Sequence, residues 1–330
     1  MPRPLIFPFV LSLLLTACAA PGTANPRAEI EAAAAHEVAA HPTRYEFGAS
    51  RSVLISQGGV PRALIWGTVH DSADVDGLPR PALQALAHAA SLWVELDLAS
   101  LPATELDALT AQRAASLADA SPAALDARGP DTRHALAAAG LGPGAQSRHS
   151  LEGLADLLRE DAETGTADTL PAAASVDQEI IGFAHSLHIP VHPLERLADQ
   201  ATLLYSDPNG EAAAAELRVL LRRRPDLQAF TNWVHAAYAH GQIGAIAAAF
   251  QAWRVTPAEA PVLARRRLRL SDSRNAAMAD TLAAALRQPG FLFVAIGIDH
   301  LLGDTGVPAL LEQAGYQATP CPEAACLALQ

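Results

Sequence analysis

Two histidines stand in the same local setting at opposite ends of the chain. Ala63-Leu64-Ile65-Trp66 runs into Gly67-Thr68-Val69-His70, and Phe293-Val294-Ala295-Ile296 runs into Gly297-Ile298-Asp299-His300. A glycine at the carboxyl end of a buried strand lets the backbone turn sharply or approach a ligand closely. Such strand ends are also where open α/β sheets bind ligands. A histidine three residues later sits on that rim, where imidazole binds a metal ion or moves a proton near neutral pH. One Gly-x-x-His occurs readily by chance. Two of them, each behind an apolar strand, form a more specific signal, with loop histidines of no consequence as the other reading.

The elements that would carry these histidines repeat. The first motif leads through a loop and a helix (81–90) to an apolar strand at 92–96, which holds Glu95. The second leads through a loop and a helix (304–314) to a strand at 316–319. This internal duplication predicts two related α/β halves whose strand ends face each other and bring His70 and His300 together. Runs 51–57 and 62–66, separated by Gly58-Gly59-Val60-Pro61, predict a hairpin. Pro79 suits the first turn of a helix. A helix over 176–187 and a short strand over 189–194 follow, and 196–286 reads as almost wholly helical. The expected fold is α/β (α+β): a small mixed sheet from the two strand–Gly-x-x-His–helix–strand units, with a helical insertion over about 100–286 as a cap on one domain spanning 44–330.

Several stretches together resemble the TraB/PrgY/GumN family. Gly67-Thr68-Val69-His70 followed by Val94-Glu95-Leu96-Asp97 is similar to its N-terminal signature. Phe293 to Leu301, followed by Gly303-Asp304-Thr305-Gly306 and Leu310-Leu311, resembles its C-terminal one. Val176-Asp177-Gln178, Leu194-Glu195, and Arg274-Asn275 with Met278 resemble the stretches between, in the family's order from about 44 to 320. The animal Tiki proteins, membrane-anchored metal-dependent peptidases, resemble the same family.

The resemblance implies a metal-dependent hydrolase, with a peptidase as the leading reading. It makes His70 and His300 metal ligands or catalytic imidazoles, and Glu95 and Glu195 the carboxylates, with Glu95 able to join the ligands. The cofactor implied is a divalent ion (Mn, Co, Zn or Fe), leaving a position for an activated water. Arg274 would stabilise an oxyanion or clamp a carboxylate, and Asn275 would orient a ligand or cap a helix. Asp177, Gln178, Gly67 and Gly297 would line the substrate site. Plainer roles stay open: a Glu95–Arg274 salt bridge, Glu195 as a helix start, capping by Asp177 and Gln178, or Arg274 as one charge on the face carrying Arg265, Arg266, Arg267 and Arg269. Asp71 and Asp299 depart from the family pattern, Asp299 either adding a ligand or facing solvent. Because PrgY and TraB act against peptide pheromones, a non-catalytic peptide-binding role is the alternative, and an accessory role in envelope export is a third.

The first residues look like targeting sequence. Arg3 precedes an apolar stretch from Leu5 to Leu15, too short for a membrane span. Leu15-Thr16-Ala17-Cys18 then fits a lipoprotein cleavage site. Residues 1–17 are expected to be a signal peptide and 18–43 a lipidated tether with an N-terminal helix. Cys18 would anchor the chain at the outer membrane, facing the periplasm. In that oxidising compartment, Cys321 and Cys326 suit a small-loop disulfide. A net charge of −12 argues against a nucleic-acid partner. The chain has no lysine at all, which excludes Schiff-base chemistry and the lysine-containing phosphate loop. No Gly-x-Gly-x-x-Gly loop or Gly-x-Ser-x-Gly elbow is present, so neither a nucleotide cofactor nor a serine hydrolase is expected. The expected partners are a peptide or small-molecule substrate and, through the lipid anchor, a membrane. His185, His188 and His192 have spacing that permits a metal site but no acid on the same face.

Overall fold

The computed structural model describes residues 25–69, 78–97, 100, 102, 104, 130–151, 153–155, 157–158, 176–205 and 210–326. Six strands form one sheet: β1 (Ser52–Gln57), β2 (Val60–Thr68), β3 (Ser91–Val94), β4 (Val191–Pro193), β5 (Leu292–Gly297) and β6 (Gln317–Pro320), in the order β4-β3-β5-β2-β1-β6. β1 and β2 form a hairpin whose turn residues Gly58 and Gly59 both have positive φ, at 59° and 78°. A two-residue turn with that geometry matches the right-handed twist of its strands, and glycine adopts it without steric cost.

β2, β5, β3 and β4 run parallel. β6 is antiparallel to β1, which is antiparallel to β2, so β6 runs the same way as the other four. The central strands read as continuous apolar runs because both their faces are covered. Leu64, Ile65, Leu92, Phe293, Ala295 and Ile296 are all fully buried.

The two repeated units interlock. From β2 the chain passes through α2 (Arg80–Ala87) to β3 and steps over β5. From β5 it passes through α12 (Val307–Gln313) to β6 and steps over β2 and β1. The halves therefore do not face each other, as the duplication suggested. Their leading strands are neighbours in one sheet, with carboxyl ends pointing the same way and Thr68 in register with Gly297. Connections that leave adjacent parallel strands in opposite directions open a crevice at the carboxyl edge.

Further helices among the described residues include α1 (Pro26–Ala40), α3 (Pro130–Ala138), α4 (Pro143–Arg148), α5 (Val176–Ser186), α6 (Leu197–Tyr205), α7 (Glu211–Arg223), α8 (Leu227–Ala239), α9 (Ile243–Ala252), α10 (Ala260–Arg267) and α11 (Ser273–Leu286). The stretch 100–286 is more than a helical cap, since it supplies β4. Phe230, Trp233 and Tyr238 of α8 and Ile243 and Ile246 of α9 share the sheet's core. A second, smaller core joins Leu136 and Leu154 to Leu217 of α7. Among the described residues no helix is long and apolar enough to cross a membrane. Cys321 and Cys326 are disulfide-bonded, with Cα atoms 5.3 Å apart. The Cys321 N–H donates to the Ser52 carbonyl at 2.8 Å, which ties the end of β6 to the start of β1. His192 stacks on Trp93 with ring centroids 4.7 Å apart, whereas His188 stands at φ 58° in the turn before β4.

Candidate functional site at the carboxyl edge of the sheet

Both glycine motifs and both glutamates read from the sequence lie at the carboxyl ends of four adjacent parallel strands. Gly67 and Thr68 end β2, Gly297 ends β5, Glu95 follows β3, and Glu195 follows β4 by two residues. Pairing continues past β3 and β4: Leu194 N–H donates to Val94 O at 2.7 Å and Glu195 N–H to Glu95 O at 3.1 Å. The two glutamates are thereby held side by side. Glu195 is a strand-end acid here, two residues before α6 begins.

Arg274 joins them. Its Nη2 donates to Glu95 Oε2 at 2.8 Å, its Nε to Glu195 Oε1 at 2.7 Å, and Nη2 also donates to Glu195 Oε2. Nη1 donates to Leu270 O at 3.1 Å. A guanidinium has five N–H donors, so these contacts leave room for little else. Arg274 holds the carboxylates and is not a solvated charge on an arginine face, and its commitment to them argues against a free oxyanion clamp. Burial alone would lower its pKa, but the bonds to Glu195 and the charge of Glu95 outweigh that and raise it. Leu270 belongs to a π turn, Leu268–Asp272, between α10 and α11. Such turns free a carbonyl from the i→i−4 ladder and cluster at functional sites.

Glu95 also accepts from the Gly297 N–H at 2.5 Å through Oε1. His300 lies on the tight turn Ile298–Leu301 after β5, and its Nε2 is 3.5 Å from that same oxygen. Its Nδ1 lies 2.5 Å from Asn275 Oδ1, while Asn275 Nδ2 donates to Thr305 O at 2.8 Å. Because the amide nitrogen is spent on Thr305, its oxygen faces the ring, and Nδ1 must carry the hydrogen. With Nδ1 carrying a hydrogen, Nε2 is the nitrogen that faces Glu95 and could bind a metal ion or take a proton. Among Arg274, Glu95 and Glu195, one positive charge meets two negative ones. His300 Nε2 and Glu95 could serve as two ligands of a divalent ion. Among the described residues, no group of three or more His, Cys, Asp or Glu side chains is arranged to hold a metal. His70, the third expected donor, lies outside the described residues, as does Cys18.

The other candidates fall nearby. Gly67 packs directly on the second motif: a Cβ there would come 3.1 Å from Ile298 Cγ2 and 3.2 Å from Leu301 Cδ2. Its need for glycine thus comes from close packing between the two motifs. Asp177 and Gln178 occupy the first turn of α5. That helix packs on β3, β4 and β5 and runs back into the turn before β4, so its start lies toward the carboxyl edge.

Nothing in the residue pattern points to the support around Gly67. The Tyr238 hydroxyl of α8 donates to Gly67 O at 2.7 Å and accepts from Trp66 Nε1 at 3.1 Å. The buried Arg51 guanidinium lies 5.1 Å from both ring centroids. Thr68 Oγ1 and Asp97 Oδ1 are buried without a hydrogen-bond partner among the described residues.

A search of curated proteins and a search of solved structures each return no match. The description "TraB/PrgY/gumN family" belongs to a family model that matches residues 53–320. That range opens at β1, closes at β6 and contains the whole strand-end cluster, so the chain belongs to the TraB/PrgY/gumN family.

Proposed function

We propose that this chain is a metal-dependent hydrolase that cleaves peptide bonds in the cell envelope. The observation that carries the reading is the orientation of His300: Asn275 fixes Nδ1, and Nε2 faces Glu95 at the carboxyl edge of the sheet. Second partners of this kind set the tautomer and basicity of metal-bound histidines. His300 and Glu95 would hold the ion, with His70 as the expected further ligand. A bound divalent ion would supply Lewis acidity and make water nucleophilic near neutral pH.

The chain's own residues account for the rest. The Gly297 N–H and Arg274 orient Glu95 through different oxygens, and Glu95 would be the group that accepts a proton from water. Glu195 keeps Arg274 in place from the other side. Tyr238 fixes the Gly67 carbonyl and, through it, the chain leading to His70. The Leu15–Cys18 pattern supports a lipid anchor and an outer-membrane site facing the periplasm.

The engagement of Arg274 by both carboxylates favours a second reading, a peptide-binding protein without turnover. Metal analysis by mass spectrometry, on protein purified without chelator or nickel resin, separates the two. Near-stoichiometric manganese, zinc, cobalt or iron that is absent from folded His300→Ala protein would support hydrolysis. Absence of metal, with no gain after soaking in divalent ions, would sink it.

A further inference from the structure

A cavity of about 330 Å³ lies among α7, α8, α10 and the π turn, and neither Glu95 nor His300 lines it. Its apolar wall includes Leu220, Phe230, Val234 and Phe250. Phe250 is 48% exposed although its ring meets Phe230 edge-on at 5.0 Å, so an aromatic face stands at the cavity rather than in the core.

Five charged side chains border this space, and three of them are already engaged. Arg223 donates to the carbonyls of Phe250 and Trp253 at 2.9 and 2.7 Å. Arg266 Nε pairs with Glu216 at 2.9 Å. The other two are Arg267 and Asp299. Neither has an ion pair or a hydrogen bond among the described residues, and Arg267 Nε is buried without an acceptor. A buried donor left without an acceptor is costly. Two opposite charges thus border one cavity without meeting.

We infer that this cavity binds a small zwitterion with a bulky apolar side chain, a free apolar amino acid or a dipeptide. Its carboxylate lies on Arg267, its ammonium faces Asp299, and its side chain packs against Phe230 and Phe250. The volume is at the low end for ligand cavities, roughly 300–1,000 Å³, which suits a ligand of this size. The inference does not rest on the proposed hydrolysis. It nevertheless touches the same turns: Asp299 adjoins His300, and Leu270, whose carbonyl accepts from Arg274, lines the cavity. Arg267 also borders a second cavity beside Arg44, Asp272 and Asp304. That one lacks the aromatic wall of Phe230 and Phe250, so dependence on an aromatic side chain separates the two.

The test is calorimetric titration of the purified protein with L-phenylalanine and alanyl-phenylalanine. Glycine, N-acetylphenylalanine, phenylalaninamide and octanoate serve as controls. Binding of phenylalanine or alanyl-phenylalanine at least tenfold tighter than every control supports the assignment, and the tighter of the two names the source. Arg267→Gln, checked for folding by circular dichroism, should weaken that binding at least tenfold. Asp299→Asn should remove the preference for phenylalanine over its N-acetyl form. Octanoate or N-acetylphenylalanine binding as tightly as phenylalanine would overturn it, as would glycine doing so. So would the absence of zwitterion binding up to the solubility limit, a result that needs no variant to fold.

Discussion

Asn275 Oδ1 and His300 Nδ1 lie 2.5 Å apart, and both side chains are buried. The contact joins α11 to the second Gly-x-x-His motif and aims Nε2 at Glu95. Loss of such a partner lowers metal affinity by roughly 10–100-fold in known sites. Asn275→Ala is therefore expected to weaken binding of a titrated divalent ion by about that factor, and Asn275→Asp, which keeps an acceptor toward Nδ1, should restore most of it. A purely structural role for Asn275 would lower the melting temperature of the alanine variant and leave its metal affinity unchanged.

Arg274 is the counter-charge for Glu95 and Glu195, and the three side chains are only 9–11% exposed. Removing one partner from a buried ion cluster typically costs about 3–5 kcal/mol, because the remaining charges lose their compensation. Arg274→Met should lower the unfolding free energy by about that amount in urea titrations at neutral pH. The double variant Arg274→Met with Glu195→Gln should recover a measurable part, since it leaves one carboxylate instead of two. Simple additivity of the two single changes would contradict a shared cluster.

Much of this cluster was legible before any coordinates. Apolar runs ending in glycine located β2 and β5, and the Gly58-Gly59 pair located the hairpin between β1 and β2. The resemblance to the family's stretches marked Glu95, Glu195, Arg274 and Asn275. What could not be read was the order of the strands. Adjacency of β2 and β5 depends on each crossover stepping over the other unit's strand, which no local pattern records. The same holds for contacts made across long stretches of chain. Tyr238 reaches the Gly67 carbonyl from 171 residues away, and nothing around Tyr238 distinguishes it from any aromatic on the buried face of a helix. The π turn is equally silent in sequence, because Leu268–Asp272 continues a pattern that α10 and α11 would extend without a bulge.

Glu259 supports a pH-dependent prediction. It is 4% exposed, accepts from Arg218 Nε at 3.1 Å and from the Thr256 N–H at 3.0 Å, and pairs with Arg222. Burial pushes its pKa up, but the bonds from Arg222, Thr256 and Arg218 prevail and hold it down at about 2. A carboxylate whose folded pKa is depressed stabilises the fold above its unfolded pKa and loses that contribution as pH falls through the folded one. Unfolding free energy should therefore drop between about pH 4.5 and pH 2. Glu259→Gln protein, already less stable at pH 7, should show a shallower slope across that window. An unchanged slope would remove Glu259 as its source.

Gly48 and Gly244 tie the start of α9 to the segment before β1. The Gly244 N–H donates to Gly48 O at 2.9 Å. A Cβ on Gly48 would come 2.6 Å from Gly244 Cα, and one on Gly244 would come 2.9 Å from Gly48 Cα. In each case the obstructing atom is backbone, so no rotamer change can relieve it. Overpacking of this kind costs about 1–3 kcal/mol, and Gly48→Ala and Gly244→Ala should each lower the melting temperature. The pair is also expected to be non-additive, because the first methyl group already forces the two backbones apart and the second meets a contact that has opened. A double variant less stable than the sum of the two single losses would show that α9 does not shift as a unit. Melting curves of the three proteins, recorded side by side, decide it.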